Sequence, residues 1–232
     1  ISSSSVNING GLTASGDVNF DSNTLFVDAS NNSTLIGTST FRNNLFNTTL
    51  GSAFQIEGTD AQGGSMMITR NTGASAGNLP FIALCKSRGS SLNSNTIVAD
   101  NDEIGSLSFQ GNDGAEFVEA SSIRGKVGGT PGSNDMPGEL LFYTTADGAT
   151  SGSLAMTIDS SQRVGIGVTS PSEIFHVQGT GVTDRFARFE STNFDMFLYI
   201  DADSGSSNND ADTGVIFRNN NSEDFRIGVD ET

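Results

Sequence analysis

Short apolar stretches alternate with clusters of glycine, asparagine, aspartate and serine along almost the whole chain. Leu25-Phe26-Val27, Phe54-Gln55-Ile56, Met66-Met67-Ile68 and Leu107-Ser108-Phe109 are representative. So are Leu140-Leu141-Phe142-Tyr143, Met156-Thr157-Ile158 and Val215-Ile216-Phe217. Each is too short for a helix and is bounded by turn formers, which predicts strands. Asp113-Gly114 and Asp147-Gly148 predict hairpin turns, because these residue types tolerate positive φ. Residues 115–127 are contested: Phe117, Val118, Ile123 and Val127 fit neither the helical nor the strand period cleanly. The flanking hairpin signals favour an irregular strand there. The predicted fold class is all-β.

The pattern also repeats at long range. Setting Val27-Asp28 against Ile158-Asp159 sets Ile36-Gly37 against Ile166-Gly167, with one extra residue in the first copy. Downstream, Phe54, Ile68 and Leu84 correspond to Phe186, Ile200 and Ile216, each 132 positions on. The expected organisation is a connecting segment over 1–23, a first repeat unit over 24–155 and a second, incomplete unit over 156–232. A smaller echo lies inside: Gly105-Ser-Leu-Ser-Phe109, Gly138-Glu-Leu-Leu-Phe142 and Gly214-Val-Ile-Phe217 each open with Gly and close on Phe.

Composition adds a constraint on where the core can lie. Ser, Gly, Asn, Thr and Asp supply about half of the 232 residues, and apolar types only 34%. Sixteen Phe and a steady supply of Ile, Val, Leu and Met argue against disorder, yet a thick private core is out of reach. A repeat that cannot close its own core must stack on something. The longest apolar run, Met196-Phe197-Leu198-Tyr199-Ile200, has strand length and suits a strand covered on both faces. It falls far short of the roughly 18 residues of a membrane span. A single chain of this kind would expose sheet edges and an apolar face, whereas three copies around one axis would bury them. The expectation is an elongated all-β structure of short strands and hairpins in tandem repeats, forming an intertwined or side-by-side homotrimer.

Charge and candidate chemistry narrow the function. The net charge of -16, from 27 acidic and 11 basic residues, disfavours nucleic acid and anionic membrane surfaces. Cys85 is alone, which rules out an intrachain disulfide, and its setting in Phe81-Ile82-Ala83-Leu84-Cys85 predicts a small buried apolar residue. The lone His176 lies in a strand-like run without local carboxylate spacing, so a Cys–His nucleophile is disfavoured. Val164-Gly165-Ile166-Gly167 resembles a phosphate loop only superficially, since a proline turn and another apolar strand follow it rather than a helix. Asp201, Asp203, Asp210 and Asp212 are weak candidates for a cation loop. Gly205 and the acids around it do not match the ligand positions of the calcium hand, and a solvated acidic hairpin loop is the plainer expectation. A carboxylate pair for glycoside hydrolysis leaves no linear trace, but the chain has no Trp and two Tyr to serve as sugar platforms. No catalytic residue, cofactor or enzyme activity is expected.

One run resembles a known family. Ala155-Met-Thr-Ile-Asp159-Ser-Ser-Gln-Arg-Val-Gly-Ile-Gly167-Val-Thr-Ser-Pro171, continuing to Phe175-His-Val-Gln-Gly179, is similar to the repeat found in tail fibres of tailed bacteriophages. Gly105 to Gly114, Pro137 to Gly148 and Gly10 to Phe20 resemble the same repeat. The first copy departs from it, with Thr34-Leu-Ile-Gly37 for Val-Gly-Ile-Gly and no proline. Related fibres often end in a self-releasing intramolecular chaperone domain, which nothing here resembles, so a fragment of a longer fibre is expected. The resemblance implies a homotrimer in the virion, contacting other virion proteins and a host-surface glycan or protein receptor. It implies no nucleic acid and no membrane insertion. Alternatives are a tailspike-like glycan depolymerase, a collar or capsid fibre, or a bacterial surface adhesin.

Overall fold

The computed structural model describes residues 13–71, 79–179, 213–219 and 222–229, the last two stretches as backbone only. Among them every regular element is a strand, so the all-β expectation holds. The chain divides into two compact units, Ile1–Thr180 and Gly181–Thr232. The first unit carries two mixed sheets of short strands. One has the order β1 (Val18–Phe20), β2 (Leu25–Asp28), β3 (Ser33–Ile36), β4 (Phe54–Ile56). In the other, β5 (Glu103–Asn112), β6 (Phe117–Val127), β7 (Gly138–Thr144), β8 (Ser153–Ile158), β9 (Val164–Ile166) and β10 (Phe175–Val177) lie side by side in chain order. In the second unit, β11 (Thr213–Asn219) and β12 (Ser222–Val229) form an antiparallel hairpin.

Both predicted Asp-Gly turns close hairpins. Between β5 and β6 the Asp113 carboxylate accepts the N–H groups of Ala115 at 2.9 Å and Glu116 at 3.0 Å, with Gly114 at φ +109°. Gly148, at φ +77°, lies in the β7–β8 connection. The contested stretch is an irregular strand: β6 pairs along its length with β5, and the register slips where Phe109 faces Ser121 and Gln110 faces Glu119.

Two three-strand modules, β2–β3–β4 and β8–β9–β10, share one topology. In each, the first two strands are antiparallel and the third joins in parallel. An aspartate organises the turn after the first strand of each, Asp28 as the last residue of β2 and Asp159 directly after β8. Asp28 accepts the Asn31 backbone N–H at 3.0 Å and its side-chain amide at 2.7 Å. Asp159 accepts the N–H groups of Ser161 and Arg163, both at 2.9 Å. A turn residue ahead of the middle strand has positive φ in both, Asn32 and Gln162. Gly37 (φ +80°) and Gly167 (φ +70°) follow the middle strands, where a Cβ would collide with the carbonyl oxygens of Glu57 and Gln178. The ladder beyond them is the same: Glu57 N–H to Ile36 at 3.0 Å and Gln178 N–H to Ile166 at 2.9 Å.

This pairing corrects part of the sequence alignment. Phe54 faces Thr34, and Phe175 faces Val164, so the counterpart of Phe54 is Phe175 rather than Phe186. Val164–Ile166 is a strand, as its apolar character required, and Pro171 lies buried in the turn after it. Met66-Met67-Ile68, expected to form a strand, does not pair, and Cys85 is exposed rather than buried. The same fact underlies both: 66–70 and 79–87 are apolar enough for strands but pair with no strand among the described residues. The private core is correspondingly small. Leu35, Val98, Val127 and Leu141 are the buried large apolar residues, while twenty-two such residues are exposed among those described.

Candidate functional site

The register of the six-stranded sheet aligns one apolar residue from every strand. Leu107 faces Ile123, Ile123 faces Phe142, Phe142 faces Met156, Met156 faces Ile166, and Ile166 faces Val177. Directly opposed residues share a face, and so do residues two positions along a strand. Leu140, Ile158, Val164 and Phe175 therefore lie on this same face as a second row. None of these ten is buried in the chain, and Leu107 and Phe175 are 53% and 63% exposed.

The reverse face has a different chemistry. Gly165 sits beneath Val168 and Pro171, while Leu141 and Thr157 on neighbouring strands are buried. Toward β5 this face is polar. Glu119 accepts hydrogen bonds from Ser108 at 2.6 Å, Ser122 at 3.0 Å and Arg124 at 2.7 Å. Burial pushes the Glu119 carboxyl up, but those three donors outweigh it and hold it below the ordinary range. Arg124 also lies 4.4 Å over the Tyr143 ring. A sheet with one satisfied polar face and one bare apolar face is half a sandwich.

The four-stranded sheet repeats this polarity. Leu35 is buried on the side of Phe26 and Gln55, its cross-strand partners. The opposite side presents Val27 and Phe54 on one row, with Leu25 and Ile56 two positions away. Through the module correspondence Val27 matches Ile158 and Phe54 matches Phe175. Each module thus turns the same positions outward.

Of the residues singled out for chemistry, His176 and Cys85 lie among the described ones. His176 lies in β10 opposite Gly165, and its Nδ1 accepts the Ser172 N–H at 3.3 Å. Cys85 is on an exposed segment without a strand partner. Asp201, Asp203, Asp210 and Asp212 lie outside the described residues, as do Met196 to Ile200 and Phe186. An open cleft of about 500 Å³, which the sequence did not reveal, lies between β4 and the start of β6. Arg42 bonds Glu57 there and sits 5.2 Å from the Phe117 ring centroid. Gln55 brackets the Arg42 main chain, accepting its N–H at 3.0 Å and donating to its carbonyl at 2.8 Å. Glu57 is the carboxylate lining this cleft, and together with Asp60 it also lines a neighbouring cleft of about 670 Å³.

No family model matches the chain, and no curated protein matches it. Among solved structures it is similar to the carboxy-terminal domain of the bacteriophage T5 L-shaped tail fibre. The identity is 13%, over 74% of this chain and 68% of that one, with a TM-score of 0.46. That degree of likeness assigns no function, which has to be argued from the surface.

Proposed function

We propose that the chain is a structural component of a bacteriophage fibre, a non-enzymatic trimeric shaft unit in the virion that positions or performs attachment to a host surface. The observation that carries this reading is the bare apolar face crossing all six strands of the larger sheet. In water such a face is a liability, and its reverse side is already covered or satisfied. Symmetric copies around an axis present the same face to one another at matched stoichiometry. Burying on the order of 800 Å² per copy, at about 25 cal/mol per Å², is worth roughly 20 kcal/mol before association costs. The Ala155 to Gly179 run resembles the tail-fibre repeat, and it supplies β8, β9 and β10. In this reading other virion proteins adjoin the shaft, and a host glycan or protein is its distal partner.

Mass in solution tests the reading. A single assembled species of about three times 24.1 kDa is expected at micromolar concentration. A stable monomer at that concentration would refute the shared core.

A further inference from the structure

Residues 66–70 and 79–87 run without turn, bend or strand partner, and their main chain makes no hydrogen bond among the described residues. Their apolar side chains are nevertheless highly exposed, with Met67 at 86% and Phe81 at 78%. Exposure does not alternate, since Leu79, Phe81, Ile82 and Leu84 are all exposed. A near-continuous apolar run is the pattern of a strand covered on both faces. Here both cover and pairing are missing among the described residues.

We propose that 66–70 and 79–85 are seam strands, each completed by a second copy of this chain through main-chain hydrogen bonds and apolar packing. This rests on the fibre reading above and names where copies join. Three observations favour a copy of the chain as the occupant. First, the unused N–H and C=O groups need a polypeptide edge, because an apolar cover would bury them unpaired at about 1–3 kcal/mol each. Second, the segment continues the apolar face: a Cβ on Gly105 would meet the Leu84 Cβ at 2.6 Å, and Gly105 lies on the Leu107 side of β5. Whatever covers that face also reaches 79–85. Third, the two segments together expose seven large apolar side chains, each at 48% or more, a concentration of the kind that a protein partner covers. The C-terminal end of the longer segment is already anchored. Arg88 donates to both carboxylate oxygens of Asp102, at 2.7 and 3.0 Å, which holds the free stretch beside β5.

The lone cysteine is a built-in reporter. Cys85 is exposed in the single chain, so assembly through this seam shields it. In the full-length assembled protein, thiol modification of Cys85 and hydrogen exchange of the 79–85 peptide are expected to slow at least about tenfold relative to the urea-unfolded chain. Phe81→Asp is expected to raise the concentration for assembly by at least about tenfold, while Leu92→Asp, at a 95% exposed site beyond the segment, leaves it unchanged. An assembled protein in which Cys85 and the 79–85 amides react as fast as in the unfolded chain overturns the seam but leaves the fibre reading standing. A wild-type monomer overturns both. Should Phe81→Asp fail to fold, the two wild-type measurements decide.

Discussion

Replacing Gly167 by alanine isolates the device that both modules share. Two costs add at this position. Its φ of +70° penalises any L side chain by about 1–2 kcal/mol. The new Cβ would also fall on the Gln178 carbonyl, whose own N–H closes the parallel ladder to Ile166 at 2.9 Å. Relieving that overlap means displacing β10 from β9, a packing strain of about 1–3 kcal/mol. Against these, alanine lowers the entropy of the unfolded chain by about 0.4–1 kcal/mol. The net expectation is a loss of about 2–4 kcal/mol. Gly148→Ala separates the terms, because φ is +77° there but the space around it is open. It should lose about 1 kcal/mol. Gly125→Ala, in a central strand with open space and no positive φ, should be neutral or slightly stabilising. Gly37→Ala should match Gly167→Ala, because its Cβ meets the Glu57 carbonyl in the same way. Urea unfolding at one fixed protein concentration gives all four values from midpoints and slopes. If Gly167→Ala costs no more than Gly148→Ala, within about 0.5 kcal/mol, the carbonyl contact does not constrain the module and the reasoning fails.

Leu35→Ala, at a fully buried position, should cost about 2–5 kcal/mol in the same assay, and a loss under about 1 kcal/mol would show that the small core is not tightly packed. Thr157 is buried with a hydroxyl that has no partner among the described residues, so Thr157→Val should raise stability by about 1 kcal/mol; a fall in the urea midpoint would mean that the hydroxyl is satisfied. Hydrogen bonds hold several carboxyls below their ordinary values: Asp28 through Asn31, Asp102 through Arg88, and Glu119 and Asp159 through donors that outweigh burial. Near and below the ordinary 3.8 and 4.5 the folded chain therefore binds fewer protons than the unfolded one. Stability is fully present above that range and is lost as pH falls through the lowered folded values, so the urea midpoint should fall below about pH 4. A midpoint that keeps rising to about pH 3 would mean that relief of the -16 charge outweighs these bonds.

Strand identity was legible in the sequence where apolar stretches find a neighbour, and illegible where they do not. Leu25 to Val27 and Met66 to Ile68 look alike by composition, yet only the first has β1 and β3 beside it. Local apolarity states that a segment wants cover, while pairing is decided by whatever lies alongside, in this chain or another. Cys85 was misjudged for the same reason, because its apolar surroundings imply burial but not burial by its own chain. The two modules match more simply at their antiparallel strands than at their parallel ones. A hairpin pair such as Asp28 and Ser33 is separated by a short turn whose length hardly varies. A parallel partner is reached by a crossover of arbitrary length, so a fixed offset of 132 carried Phe54 past Phe175 to Phe186. The signal that survives a variable crossover is local: Phe54-Gln-Ile-Glu-Gly58 and Phe175-His-Val-Gln-Gly179 share aromatic, β-branched and glycine positions.

The candidate surface was invisible for a further reason. Leu107, Ile123, Phe142, Met156, Ile166 and Val177 are unremarkable one at a time, and no spacing links them. They become a single row only when five strand registers are set, since a one-residue slip in any of them would send its side chains to the other face. That the smaller sheet turns the matching positions outward, Val27 for Ile158 and Phe54 for Phe175, makes an accidental face hard to sustain. In the proposed fibre, a chain that repeats the module repeats its apolar face, and a second copy of the chain is the partner present at matched stoichiometry.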